Sequence, residues 1–221
     1  MKKLMFIMIP ILILIFMFTS CSSTDNSNSS IEDKSNCSDI TVQSPMTLSN
    51  NDLFLVNGEH QYLRLKMVKG KYYENWAPGA YMGMIWEGNF VIELADDSGN
   101  VISETNLNKI YKESLIFNSL FQIEFDDYNN DGDIDFTIGQ YVSSNGRNYK
   151  LFTLRKDGTV EELPVTGHSS LFISNTTDFY STKLTKIDNV TFKTEYYDNS
   201  KGKNLENVFK WNGKEFIKLE K

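Results

Sequence analysis

The chain has 221 residues, of which 40% are hydrophobic and 23% are charged, proportions that exclude a wholly disordered protein. The formal net charge is −7 and becomes −9 without Lys2 and Lys3, which disfavours a nucleic-acid partner because Lys and Arg carry affinity for phosphate backbones. With only two cysteines and two histidines, the chain is neither a disulfide-rich scaffold nor a cysteine-rich zinc protein.

The first twenty residues have the organisation of an export signal. Lys2 and Lys3 give a positive start, and residues 4–18 are almost wholly apolar. Even as a helix this stretch would span only about 22 Å, less than the roughly 30 Å of a bilayer's hydrocarbon core. Residues 1–20 are therefore predicted to be a signal peptide and not a permanent membrane span.

The apolar run ends in the order Phe18-Thr19-Ser20-Cys21. These four residues resemble the lipobox of bacterial lipoproteins, with Phe18 where leucine is more usual. The resemblance implies that Cys21 becomes an acylated N-terminus, and that the lipid bilayer holds the protein at the extracytoplasmic face of the cell membrane. The alternative is an ordinary secretory signal cut near Ser20, which would leave Cys21 free.

A polar segment rich in Ser and Asn follows the cysteine and covers residues 21–44. Such a composition buries too little apolar surface to offset the entropy of ordering the chain. We therefore predict a flexible tether with a root-mean-square reach of roughly 25 Å. The folded domain is predicted to comprise residues 45–221.

Within residues 45–221, apolar and polar side chains alternate with a period of two, as in half-buried strands. The alternating runs lie at residues 63–67, 90–94, 121–125 and 190–196. Turns are predicted at residues 87–89, 97–100 and 156–158. One short helix is predicted from Asn106 to Tyr111, with Asn106 as its cap. Because no strand–helix–strand rhythm appears, we predict a mainly β fold, an antiparallel sandwich or curled sheet with little helix.

The last predicted hairpin turns at Asn212-Gly213, a pair typical of two-residue type I′ turns. Such a turn would place Phe209 opposite Phe216. It would also pair Lys210 with Glu215, so turn chemistry and cross-strand chemistry predict the same register.

One loop carries metal-binding chemistry, over residues 127–135. Oxygen-bearing side chains occupy its alternate positions, and Gly132 stands at position six; the candidate ligands are Asp127, Asn129, Asp131, Asp133 and Asp135. Ca²⁺ takes about six to eight oxygen ligands, which a tight loop of this kind supplies. No Lys or Arg lies between residues 126 and 135, so the carboxylates would repel one another without a cation. The alternative is a turn rich in Asn and Asp that binds no metal.

The loop differs from an EF-hand because Ile138 occupies the position of the bidentate glutamate. It resembles instead the D-x-[DN]-x-D-G-x-x-D loop of FG-GAP/VCBS-type repeats. The resemblance implies side-chain ligands from Asp127, Asn129 and Asp131, a backbone carbonyl from Asp133, and a closing carboxylate from Asp135. Because the motif occurs once, the resemblance extends to the loop and not to a propeller fold.

The sequence contains no G-x-S-x-G, H-E-x-x-H or P-loop motif, and a non-enzymatic binding protein is predicted. The candidate partner-binding residues are Trp76, beside Pro78-Gly79, together with Arg147 and Tyr149, which fall in or just after a polar loop at 143–148. Tryptophan and tyrosine are common in contact hot spots, although Trp76 could equally be a core residue.

Calcium loop, β-rich fold and polar loop together resemble envelope proteins that inhibit lysozyme-like cell-wall hydrolases, although the chain lacks their Ser-Gly-x-Tyr order. The resemblance implies that Arg147 would face the two carboxylates of such an enzyme's cleft. The partner would then be a cell-wall hydrolase or another envelope protein. A plain hairpin loop at 143–148, a hydrolase acting on glycan or cell wall, and a purely structural envelope protein remain the alternatives.

Overall fold

The computed structural model describes residues 40–174, 176 and 179–220. The predicted signal peptide, Cys21 and residues 22–39 of the predicted tether lie outside the described residues. In the described part of the chain, no helix is both long and apolar enough to cross a membrane. The first strand begins at Ile40 and so includes residues that the sequence analysis assigned to the tether.

Over the described residues the fold consists of three antiparallel sheets and two short helices, which confirms the predicted mainly β class. In the first sheet β3 and β4 form a long central hairpin, β1 and β2 both pair with β3, and β5 and β6 both pair with β4. Its strands are β1 (Ile40–Val42), β2 (Met46–Asp52), β3 (Tyr62–Asn75), β4 (Gly83–Ala95), β5 (Val101–Asn106) and β6 (Leu115–Phe117). The helices are α1 (Phe54–Asn57) and α2 (Leu107–Tyr111).

The second sheet has the order β10-β9-β8-β7, with β11 also paired to β9, and the third has the order β12-β13-β14-β15. The second sheet contains β7 (Phe125–Asp126), β8 (Ile134–Ser143), β9 (Gly146–Leu154), β10 (Val160–Glu162) and β11 (Leu171–Ile173). The third contains β12 (Thr185–Asp188), β13 (Thr191–Asp198), β14 (Lys203–Trp211) and β15 (Phe216–Lys218).

The second sheet is buried on both faces. Phe136 and Phe152 lie in one hydrophobic core with residues of the first sheet. Tyr149 and Leu151 lie in a second core with Phe192 of the third sheet. Because neighbouring strand residues point to opposite faces, the buried apolar side chains of β8 and β9 divide between the two cores.

The predicted turn at residues 87–89 is wrong, because these residues lie inside β4. Gly88 pairs with Gly70 of β3, and a Cβ on Gly88 would stand 2.2 Å from the carbonyl oxygen of Lys69. The glycines therefore permit a close approach of two backbones in mid-strand, a role that sequence alone does not distinguish from a turn.

The predicted strand at residues 121–125 is also largely wrong, since only Phe125 and Asp126 form a strand there. The backbone N–H groups just before this short strand donate to side chains, and not to the backbone of a neighbouring strand. Ile123 N donates to Asn51 Oδ1 at 2.8 Å, and Glu124 N donates to Ser181 Oγ at 3.0 Å. Apolar alternation reports which side chains are buried and does not report which groups bond the backbone.

Helix α2 confirms the predicted short helix, and the side chain of Asn106 accepts a hydrogen bond from Lys109 N as expected of an N-cap. The turns at residues 97–100 and 156–158 are confirmed as well, with Gly99 and Gly158 at positive φ.

The register predicted for the last hairpin is wrong by two residues. Trp211 lies opposite Phe216, and Phe209 lies opposite Lys218. The side chain of Asn212 accepts hydrogen bonds from the backbone N–H groups of Lys214 and Glu215, both at 2.9 Å. This asparagine turn lengthens the connection to four residues and shifts the pairing, while Phe216 stays buried.

Candidate metal centre

The candidate calcium loop connects β7 to β8 in the second sheet. Asp126 pairs with Asp135 across the base of the loop. The chain reverses through Asn130 and Gly132, which have φ of 60° and 78°. Asparagine and glycine are the residues that adopt this left-handed conformation at least cost, so the local sequence explains the tight turn.

Side chains of the loop turn inward and bond its backbone. Asp127 accepts from Asp131 N at 3.2 Å and from Gly132 N at 3.0 Å. Asn129 Oδ1 accepts from Asp131 N at 3.2 Å, and Asp131 Oδ1 accepts from Asp133 N at 2.9 Å. These contacts bring the oxygens of Asp127, Asn129 and Asp131 to the inner side of one turn.

Asp135 differs from the other acidic residues of the loop because it is fully buried. Its Oδ2 accepts a hydrogen bond from Tyr128 N at 2.8 Å, whereas its Oδ1 is buried without a hydrogen-bond partner. Burial raises the pKa of Asp135 to about 7, and the nearby charges of Asp131 and Asp127 add to the rise, against lowering contacts with Tyr128 N–H and the Thr153 hydroxyl. Thr153 faces Asp135 across the β8–β9 pair, but its Oγ1 does not meet hydrogen-bond geometry.

Several acidic groups at the loop already have cationic partners, which the sequence analysis missed. Arg155 Nη1 lies 2.8 Å from Asp131 Oδ2 and 3.0 Å from Asp133 Oδ2. Asp126 pairs with Lys186 at 3.2 Å and with Lys183 at 3.5 Å. The lack of Lys and Arg within residues 126–135 therefore does not mean that the folded loop lacks positive charge.

The paired groups show the effect of these cations. Burial favours a higher pKa for Asp131, but hydrogen bonds from Asp133 N–H, Asn129 and Arg155 hold it below its ordinary value. The hydrogen bond with Asp133, followed by those with Glu161 and Asp131, raises the pKa of Arg155. Among the described residues, Asp127 and Asp135 are the loop carboxylates with no ion pair.

The oxygen set was tested for its fit to Ca²⁺. No three His, Cys, Asp or Glu side chains in the described part of the chain converge closely enough to form a metal site by themselves. Ca²⁺ also takes amide and main-chain carbonyl oxygens, and the loop contains oxygens of these two kinds at Asn129 and Asp133. With the unpartnered Oδ1 of Asp135 and the unpaired carboxylate of Asp127, the donor types fit a calcium ion.

A cleft of about 800 Å³ adjoins the loop. Its lining includes Asp127 and Asp133 of the loop, the apolar side chains of Val56 and Ile102, and Lys156. The loop is therefore open to solvent on the side of Asp127 and closed on the side of Asp135.

The three candidate partner-binding residues occupy different environments. Trp76 is 66% exposed at the end of the β3–β4 hairpin. Tyr149 is fully buried, and its hydroxyl lies 2.9 Å from Thr176 Oγ1. The ring of Tyr149 therefore belongs to the core and offers no surface to a partner.

The predicted polar loop at residues 143–148 is a tight hairpin turn, because Ser143 already pairs with Gly146. Arg147 lies in β9 opposite Tyr141, and its guanidinium stacks 4.3 Å from the ring centre of Phe179. The plain hairpin that the sequence analysis kept as an alternative is therefore present, and Arg147 is half-buried against aromatic rings.

The functional residues that sequence reasoning missed are Arg155, Lys183 and Lys186. Each reaches the loop from a segment distant along the chain, through strand pairing or through the chain leading into β12. The predicted turn at 156–158 did place Arg155 at the start of a hairpin, but nothing in the sequence indicated which strand lies beside it.

Comparison with protein-family models finds no match to this chain, and comparisons with curated proteins and with solved structures find no significant match.

Proposed function

We propose that the chain is a lipid-anchored, extracytoplasmic binding protein without enzymatic activity, and that its β domain holds one calcium ion. The anchor rests on the resemblance of residues 18–21 to a lipobox, with acylation at Cys21. The ion rests on the loop at residues 127–135. The proposed partner is an envelope protein or a cell-wall hydrolase. Because Tyr149 is buried, it would not be part of the binding surface.

The observation that carries the calcium proposal is the carboxylate of Asp135. A carboxylate that is fully buried with an unpartnered oxygen costs free energy in the metal-free protein. A cation beside Asp135 and Asp127 would remove that cost by pairing both charges. Arg155, Lys183 and Lys186 are engaged with other carboxylates and leave these two without a cationic partner among the described residues.

Asp127, Asn129, Asp131 and Asp135 would hold the ion through side-chain oxygens, and Asp133 through its carbonyl. The positive charge of bound Ca²⁺ would stabilise the folded loop. The ion would have a structural role and no catalytic one. At ten times the dissociation constant, one such ion stabilises the folded state by about 1.4 kcal/mol. We expect weak, extracellular-type affinity, with a Kd of about 10⁻⁴–10⁻³ M.

The first test is isothermal titration calorimetry, with calcium added to the full-length protein in detergent. The second is thermal unfolding of the same protein with and without EDTA. We expect one site, with EDTA lowering Tm by roughly 3–6 °C. Asp127→Asn and Asp135→Asn should weaken binding at least about tenfold, because each removes a charge that only the ion would pair.

Asp133→Asn is the matched control. It makes the same charge change in the same loop, but the carboxylate it removes is bound to Arg155. This variant should keep calcium binding within about twofold of the wild type. Identical melting curves with and without EDTA, or equal loss of binding in all three variants, would contradict the proposed site.

A further inference from the structure

The far end of the β3–β4 hairpin forms an exposed apolar surface. We call it the hairpin tip and define it as residues 76–84 with Leu120 beside them. Trp76, Met82 and Met84 are 66%, 53% and 45% exposed, and Leu120 is 67% exposed. Asn118 Nδ2 lies 3.5 Å from the carbonyl oxygen of Met82, which brings the segment of Leu120 to the tip.

The β3–β4 part of the hairpin tip also contains no charged residue. The sequence from residue 75 to residue 86 contains no Asp, Glu, Lys or Arg, although 23% of the chain is charged. The indole N–H of Trp76 donates to Glu74 Oε2 at 3.0 Å, just outside this stretch. Exposed tryptophan with neighbouring apolar side chains and no charge is the composition of surfaces that enter a membrane interface.

The chain enters the described fold close to this surface. Ile40, the first described residue, pairs with Tyr72 in antiparallel register, so β1 begins on the side of β3 that leads to the tip. Tyr72 precedes Trp76 by four residues, or about 13 Å along a strand. Residues 22–39 of the predicted tether separate Ile40 from Cys21, and a flexible tether of 18 residues would have a reach of roughly 23 Å.

We propose that the hairpin tip contacts the membrane that holds the acylated Cys21, with Trp76, Met82 and Met84 in the interface between headgroups and hydrocarbon. This inference rests on the proposed lipid anchor. Because the tip is uncharged and the protein is acidic overall, the contact is apolar and requires no anionic lipid. The anchor keeps the domain close to the bilayer, so a small apolar surface suffices for contact.

The test uses the full-length protein in phosphatidylcholine vesicles, with or without lipids spin-labelled near the headgroup. The chain has three tryptophans, so the difference between wild type and Trp76→Phe isolates the Trp76 emission. We expect the label to quench that emission at least about twofold, because tryptophan at the interface lies beside the label. The double variant M82E/M84E, which places two negative charges at the tip, should lose most of the quenching.

Ile187→Glu is the control for an exposed apolar residue replaced by glutamate, because Ile187 is 54% exposed on β12 of another sheet. It adds one negative charge, against two in M82E/M84E. It should leave the quenching unchanged. Unquenched Trp76 in a protein whose Cys21 is shown by mass spectrometry to be acylated would overturn the inference. The inference would also be overturned if Trp76 stayed unquenched and the tip were found to bind an envelope protein. If Cys21 carries no lipid and added vesicles still quench Trp76, the tip contact stands and only the anchor fails.

Discussion

Asp135 illustrates how a single residue acquires its properties from the layer in which it lies. It is on β8 of the second sheet, on the face that meets the third sheet, so no route to water remains for its carboxylate. Asp127, eight residues earlier, carries the same functional group at the edge of an open cleft. Burial therefore makes ionisation of the Asp135 carboxylate costly.

The raised pKa of Asp135 predicts how stability depends on pH in the metal-free protein. The folded-state pKa of about 7 lies above the ordinary value of 3.8, so the folded state binds the proton more tightly. The free energy of unfolding in EDTA should therefore fall as pH rises from about 4 to about 7, by an amount on the order of 2–4 kcal/mol. The negative charges of Asp131 and Asp127 add to the effect of burial on this pKa, whereas the backbone N–H of Tyr128 opposes it.

Asp135→Asn should remove that slope, because the amide stays neutral and still offers an oxygen to Tyr128 N. At pH 8 in EDTA we expect the variant to be more stable than the wild type by about 2 kcal/mol, and at pH 4 we expect the two to be equal. Urea unfolding at the two pH values measures both quantities. A variant that is less stable than the wild type at pH 8 would show that Asp135 is not a buried charge in need of a partner.

Among the elements, the β3–β4 hairpin shows what alternation predicts and what it leaves undetermined. Leu63, Leu65 and Met67 are buried as expected. In β4, however, Val91 and Glu93 are buried as well as Phe90, because that strand is covered on both faces. Periodicity identifies strands with one exposed face, whereas neither a doubly covered strand nor a mid-strand glycine pair has a distinctive pattern.

Gly88→Ala tests the close approach of the two strands. The added Cβ would meet the carbonyl oxygen of Lys69 at 2.2 Å and the Cα of Gly70 at 2.6 Å, and backbone atoms cannot move aside without disturbing the register. We expect the free energy of unfolding to fall by about 2–4 kcal/mol in urea titration.

Gly79→Ala is the control for this substitution. Gly79 lies in the same hairpin, and the nearest atom to its Cβ position would be 3.9 Å away. The change should be within about 0.5 kcal/mol of zero. Equal effects at the two glycines would contradict the packing argument.

At the scale of the whole molecule, the sequence was enough to predict the fold class and the position of the loop in the chain. It was not enough to predict which charged side chains surround the loop. Alternation predicted an antiparallel β protein, and spacing singled out residues 127–135. Arg155 and Lys186 reach the loop only because the end of β9 and β12 lie beside it, and such long-range pairing leaves no local signal. The register at Asn212 was predicted wrongly because Asn-Gly favours a two-residue turn, whereas the Asn212 side chain accepts from Lys214 N and Glu215 N in a longer one.

Tyr128 joins the loop to the third sheet and allows calcium to act beyond its own site. Its N–H donates to Asp135 Oδ2, its hydroxyl accepts from Leu184 N at 2.9 Å, and its ring lies 5.8 Å from that of Phe192 in β13. An ion that fixes Asp135 therefore also restrains Tyr128, and through it the segment leading into β12. The loop and the third sheet should open as one unit.

Hydrogen exchange tests this coupling in the full-length protein. At a calcium concentration ten times Kd, we expect amide exchange at Leu184 and in β13 to slow by about tenfold, together with exchange in the loop. Amides at residues 76–84 should be unaffected, because the hairpin tip shares no contact with Tyr128 among the described residues. Tyr128→Phe removes the acceptor for Leu184 N but none of the proposed calcium ligands, so it should keep the slowing in the loop and lose it at Leu184. Slowing confined to the loop in the wild type would mean that the ion stabilises only its own turn.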